Sequence, residues 1–184
     1  MIVDGWLASA ERLASPNADE RPGGEAPSLL VVHNISLPPG EFGGDAIKAF
    51  FTNCLDCTQH PFYREIEQLR VSTHLLIERS GHTTQFVPFT RRAWHAGVSS
   101  FQGRERCNDF SIGIEMEGAD TVPYTDRQYR VLADVTLILM RAYPGLSPER
   151  IVGHSDIAPG RKTDPGPAFD WVRYRRSLVA EENR

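Results

Sequence analysis

Polar and apolar positions change period several times along the chain, and each change marks an element. Leu29-Leu30-Val31-Val32 is a short apolar, partly β-branched run that fits a buried strand and ends in His33-Asn34. Ile47, Phe50 and Phe51 are spaced as on a short helix over Asp45 to Phe51, and Phe62, Ile66 and Leu69 repeat that spacing one segment later. Val71 to Glu78 reads as a strand, Ser80-Gly81 as a turn, and Gln85-Phe86-Val87 as the end of a second strand. From Asp109 to Glu117 the alternation is strict. Phe110, Ile112, Ile114 and Met116 share one face, and Ser111, Gly113, Glu115 and Glu117 share the other.

The strongest helical signal follows. Thr125 and Gln128 match a capping box, and Tyr129, Leu132, Thr136, Leu139, Met140 and Tyr143 lie along one side. Val131, Val135 and Ile138 widen that side, which predicts a deeply buried helix stopped by Pro144-Gly145. Ile151-Val152 is a further short strand leading into Gly153-His154, and Asp170 caps a last helix carrying Trp171, Tyr174 and Leu178. Strands and helices alternate, so the expected class is α/β: a single domain with a central mixed β-sheet flanked by helices. Residues 15–27 are polar and rich in Pro and Gly and read as irregular. The expected organisation is an N-terminal arm over 1–28 packed on the domain, the domain proper over 29–178 and a C-terminal tail over 179–184.

Composition narrows the picture. Of 184 residues, 40% are apolar and 24% charged, which excludes a disordered chain and suits one domain with one core. A formal charge of -4 argues against a general phosphate-binding surface, so no nucleic acid is expected and any anionic ligand needs a local basic patch. Apolar runs such as Val135 to Met140 are far too short to span a bilayer, so no membrane partner is expected. Met1 to Ala10 lacks the basic region, apolar stretch and cleavage site of an export signal, and three Cys is an odd count for a disulfide framework. The expectation is a cytoplasmic monomer. Only Lys48 and Lys162 among the 20 basic residues are Lys, so each Lys stands out chemically.

Candidate chemistry gathers at two strand ends. His33 and His154 each follow a short apolar run, where side chains open into a crevice. Beyond His154, the sequence SDIAPGRKTDPG holds Asp156, Arg161, Lys162 and Asp164 in a loop stiffened by Pro159 and Pro165. Two His and a carboxylate with one open position suit a catalytic zinc ion, although spacing alone is weak evidence and leaves each His readable as a hydrogen-bonded sheet-edge residue. His74 reads as a satisfied core residue and His82 as a solvated turn residue, while His95, beside Trp94, is placed to touch a ligand. A rival structural zinc site could draw on Cys54, Cys57, His60 and Cys107, but a single C-x-x-C is a weak signal. The clusters Arg91-Arg92 and Arg104-Glu105-Arg106 are solvated charges by default, or an anion patch beside the sheet.

Four ordered blocks, LLVVHNISLPPGEFG, VSTHLLIERSG, RAWHAGVSSFQGRERCNDFSIGIEMEG and GHSDIAPGRKTDPG, resemble the zinc-dependent N-acetylmuramoyl-L-alanine amidases. The likeness runs from Gly5-Trp6 to Tyr174 and is closest to the cytoplasmic type that acts on 1,6-anhydro-muropeptides. It implies one Zn²⁺ per chain on His33, His154 and Asp164. It implies Glu115 as the catalytic glutamate and Lys162 as the catalytic lysine. Asn34, Arg70, Trp94 and Arg106 fall on positions that hold the muropeptide, with Arg70 and Arg106 on its carboxylates. The implied fold is a mixed sheet flanked by helices, as in peptidoglycan recognition proteins. The alternative is a module of that fold that binds muropeptide without cleaving it.

Overall fold

The computed structural model describes residues 1–182. Its six-stranded sheet is built from Glu11–Arg12 (β1), Leu29–Ile35 (β2), Leu75–Ile77 (β3), Thr83–Gln85 (β4), Ser111–Glu117 (β5) and Ile151–Gly153 (β6). The order across the sheet is β6-β2-β5-β3-β4-β1. The helices are Ala46–Phe51 (α1), Pro61–Ile66 (α2), Asp126–Ala142 (α3), His154–Ile157 (α4) and Trp171–Glu182 (α5). The sheet is mixed: β5 is parallel to both β2 and β3, β6 is parallel to β2, and β3 and β4 run antiparallel. Fold class and sheet type are those the sequence predicts.

The centre of the sheet is the β2–β5 pair, joined in parallel over seven residues with His33 opposite Glu115. On one face Leu30, Val32, Ile112, Ile114 and Met116 form a core with Leu132, Ala133 and Leu139 of α3 and Tyr174 and Leu178 of α5. Fully burying each large aliphatic or aromatic side chain of this kind contributes about 1.5–3 kcal/mol. α3 begins where its signature places it: Thr125 Oγ1 accepts the Gln128 amide at 3.1 Å, and Gln128 Oε1 accepts the Thr125 amide at 3.0 Å. On the other face Leu29 and Val31 pack with Cys107, Phe110 and Ile157, while Ile35 and Leu76 meet Phe50, Phe51 and Phe86. His33 and Glu115 share this second face.

Four local expectations change. Within the expected strand Val71 to Glu78, only Leu75–Ile77 joins the ladder. Before it, the His74 amide donates to the Gly113 carbonyl at 3.1 Å, and side chains add to this contact: Thr73 Oγ1 donates to the same carbonyl at 2.8 Å and His74 Nδ1 accepts the Gly113 amide at 3.0 Å. The next strand likewise stops at Gln85, before Phe86 and Val87. Within the irregular stretch 15–27, Ala18–Glu20 pairs antiparallel with Arg91–Ala93. Buried Arg21 there donates to the carbonyls of Ser111 at 2.8 Å and Asp109 at 3.1 Å, and burial brings its guanidinium down to about 10. α5 runs through residues 179–182 of the expected tail, and residues 183 and 184 lie outside the described residues.

Candidate active site

His33 stands near the end of β2, and His154 opens α4 immediately after the neighbouring strand β6. Adjacent parallel strands therefore deliver both imidazoles to one end of the sheet. Asp164 comes from the following loop, whose carbonyl at 164 accepts the Ser155 amide at 3.0 Å and so fastens the loop to α4. The result is a tight triangle. His33 Nδ1 lies 3.0 Å from His154 Nδ1, and Asp164 Oδ2 lies 3.1 Å from each.

These donors fit a zinc ion. Ligand bonds of about 2.0–2.1 Å in a tetrahedron place neighbouring donors about 3.3 Å apart, close to the edges seen here, and a triangle leaves the fourth vertex open. His154 Nε2 faces the Ala96 carbonyl at 3.1 Å and must donate to it, which leaves Nδ1 as a lone pair aimed into the triangle. No other group of three or more His, Cys, Asp or Glu side chains converges in this way among the described residues. The rival cysteine site is not assembled. Cys107 is buried with Leu29 and Val31, Cys54 is exposed, and His60 Nδ1 accepts the Phe62 amide at the start of α2.

The triangle opens into a cavity of about 360 Å³ that Asn34, His95, Glu115 and Lys162 also line. Phe50, Phe51, Phe62 and Ile66 give it an apolar wall. Glu115 is buried, with Oε2 lacking any hydrogen-bond partner. Burial, followed by the nearby Asp164 charge, pushes its carboxyl well above the usual range, while Lys162 works against both. Burial lowers His33 to about 4, against the pull of Asp164. Asp164 is itself raised by burial, but the two neighbouring imidazoles of His154 and His33 outweigh this and hold it well below the usual carboxylate range.

Glu117 differs sharply from Glu115 although both leave β5 on one face. Its Oε1 accepts the Gly43 amide and its Oε2 accepts the Arg79 amide at 2.9 Å, so both oxygens are taken by backbone. The alternation of β5 suggests an exposed polar face, yet all seven residues are buried. The polar groups are instead satisfied by named partners or face the cavity.

The remaining expected residues spread outwards. Asn34 lines the cavity and donates to Asp120 Oδ1 at 2.9 Å and the Pro165 carbonyl at 3.1 Å. Arg70 is exposed, donates to the carbonyls of Glu67 and Leu69, and borders a neighbouring depression that shares Phe50, Ile66 and Leu69 with the cavity. Trp94 donates its indole N–H to Asp19 at 3.2 Å. Arg106 pairs with Asp109 at 3.3 Å and lines a separate cavity with Arg161. Of the arginine clusters, Arg92 is not a free charge: its fork is occupied by Asp19 and Asp109. Sequence reasoning missed Gly113, where an added Cβ would lie 2.5 Å from the His95 ring. A glycine interrupting an alternating strand is the available signal of such a close approach.

Fold and site together define a class: an α/β enzyme whose sheet presents two histidines and an aspartate beside a buried glutamate. Residues 23–167 match the N-acetylmuramoyl-L-alanine amidase family model. The 1,6-anhydro-N-acetylmuramyl-L-alanine amidase AmpD of Escherichia coli K12 is 61% identical over 182 residues, covering 99% of this chain and 98% of that one. A crystal structure of a selenomethionine derivative of AmpD superposes with a TM-score of 0.95 at 60% identity, over 97% of this chain and 99% of that one. The E. coli amidase AmiD, in complex with anhydro-N-acetylmuramic acid-L-Ala-D-γ-Glu-L-Lys, matches at TM-score 0.60 and 28% identity over 88% of this chain and 65% of that one. The chain belongs to the N-acetylmuramoyl-L-alanine amidase family.

Proposed function

We propose that the chain hydrolyses the amide joining N-acetylmuramic acid, in its 1,6-anhydro form, to the first L-alanine of the peptide stem. The setting is cytoplasmic peptidoglycan recycling, and the working unit is a monomer with one Zn²⁺. The observation that carries this reading is the His33–His154–Asp164 triangle beside the unpartnered, buried Oε2 of Glu115. A zinc ion held by those three residues supplies a Lewis acid that polarises a carbonyl and makes water acidic near neutral pH.

The chain's own groups supply the rest. Glu115, with a raised affinity for protons, takes one from the attacking water and returns one to the leaving amine of L-alanine. Lys162 lines the same cavity and offers an ammonium to the carbonyl oxygen as negative charge develops there. The Phe50, Phe51 and Phe62 wall gives the reacting bond an apolar surrounding on one side, in which charge interactions are stronger. A peptide stem extended from the cavity meets Arg70 in the adjoining depression, and its carboxylates suit both Arg70 and Arg106. The net negative charge favours neither nucleic acid nor an anionic membrane surface as partner, and no helix among the described residues is long and apolar enough to cross a membrane.

Incubation of purified protein and zinc with an anhydro-muropeptide, followed by mass spectrometry, tests this reading. Free peptide should appear and its release should stop on chelation. Retention of intact muropeptide without release would instead identify a non-catalytic binding module.

A further inference from the structure

The segment His95-Ala96 touches both histidines of the triangle from behind. The Ala96 carbonyl receives His154 Nε2, as described, and also accepts Arg161 Nη2 at 2.6 Å. His95 Nδ1 lies 2.9 Å from His33 Nε2, and His95 Nε2 lies 3.0 Å from Ser111 Oγ. The segment is itself held: Asn108 Oδ1 accepts both the His95 and the Ala96 amides, at 3.1 and 2.8 Å. Gly113 leaves the space in which the His95 ring lies against β5.

We propose that His95 is a positioning residue that acts through His33, fixing the tautomer that presents a lone pair on Nδ1 to the metal. An imidazole that ligates through Nδ1 carries its proton on Nε2 and needs an acceptor there. His95 Nδ1 is the group in reach, and it accepts only when its own proton sits on Nε2. Ser111 Oγ, 3.0 Å away and fully buried, accepts that proton in turn. With His33 Nδ1 facing the metal, donation runs in one direction, from His33 through His95 to Ser111. The two histidines of the triangle are oriented by neighbouring residues, one through a side chain and the other through a carbonyl. Both ring nitrogens of His95 are committed in this arrangement.

This inference rests on the zinc reading above, and its test separates the two. Zinc affinity is measured by chelator competition for the wild-type protein, His95→Leu and His95→Asn, with thermal unfolding of each zinc-free variant recorded alongside. Asn places Oδ1 near the position of His95 Nδ1 and keeps an acceptor, whereas Leu removes it. His95→Leu should weaken zinc binding about 10–100-fold, and His95→Asn should stay within about threefold of wild type. Proton–nitrogen spectra of the zinc-loaded protein read the relay directly: the His33 Nε2–H should be hydrogen-bonded and slow to exchange with solvent in wild type and in His95→Asn, and exchange faster in His95→Leu. Should His95→Leu fail to fold, the wild-type spectrum and Ser111→Ala decide, the latter by a measurable rise in exchange of the His33 Nε2–H. Wild-type protein that binds no zinc sinks the functional reading and this inference with it. With zinc bound, unchanged affinity in His95→Leu, equal losses in the Leu and Asn variants, or a wild-type His33 Nε2–H in free exchange would overturn the positioning role alone.

Discussion

On one face of β5, Ile112, Ile114 and Met116 press against the long helix α3. On the other, Ser111, Gly113, Glu115 and Glu117 meet the His95 ring, the cavity beside the His33–His154–Asp164 triangle and the amides of Gly43 and Arg79. Both faces are buried, so burial does not distinguish them. Their interactions do. The apolar face gains from area removed from water, which is non-directional and shared among many neighbours. On the polar face Ser111 and Glu117 answer to one or two partners at hydrogen-bond distance, where a lost partner leaves a buried group unsatisfied, and Glu115 faces the cavity. Substitutions on the helix side should therefore lower stability in proportion to volume, and those on the site side should remove a specific function.

The most severe break of this contrast is Asp164→Ala. It removes one corner of the triangle while leaving both sheet faces intact, so zinc content should fall far below one per chain and activity should vanish with the fold preserved. Metal analysis and circular dichroism check both halves, and full zinc with full rate would reject Asp164 as a ligand. The double change Cys54→Ser with Cys57→Ser should leave zinc content untouched.

Ile114→Ala is the counterpart on the helix side. Its side chain is fully buried, and its loss should cost about 2–5 kcal/mol in denaturant unfolding, with kcat per folded molecule nearly unchanged. A large fall in kcat at wild-type stability would erase the distinction between the faces.

Lys162→Arg sharpens the account at smaller scale. Charge is kept, but the bulkier planar fork replaces a compact ammonium beside Glu115 and Asp164, and kcat should fall at least about tenfold with zinc retained. Turnover near wild type would remove Lys162 from the chemistry.

The smallest effect concerns β1, at the far edge of the sheet from the β2–β6 pair. Hydrogen bonds from His82 and Lys48, with the Lys48 charge, hold the exposed Glu11 carboxyl down to about 2 from an ordinary 4.5. A depressed carboxyl stabilises the folded form above about pH 4.5, and that contribution fades as pH falls towards 2. Acidification across this window should lower the protection factors of the β1 amides more in wild type than in Glu11→Gln. Identical pH profiles would show that Glu11 does not fasten the edge strand.

Much of this was legible in the sequence, for identifiable reasons. The α3 signature combines a capping box, a wide apolar side and a Pro-Gly stop, and each reports on residues close in the chain. His33 and His154 were found because a short apolar strand ending in a polar residue is a local pattern. Pattern could not show that they meet, because that depends on β6 lying beside β2 across more than a hundred residues. Nor could it separate Glu115 from Glu117. Their difference comes from the Gly43 and Arg79 amides, which belong to two other loops. The bonds that the Thr73 and His74 side chains make to the Gly113 backbone are likewise invisible to periodicity.

The central claim is that one glutamate of β5 moves protons and its neighbour two residues on ties down backbone. Measuring kcat, zinc content and unfolding free energy side by side for Glu115→Ala and Glu117→Ala tests it most directly. Glu115→Ala should lose about 10²–10⁴ in kcat with zinc and stability kept. Glu117→Ala should lose about 1–3 kcal/mol of stability with a far smaller loss of kcat. A severe kcat loss at Glu117 with a mild one at Glu115 would contradict the assignment.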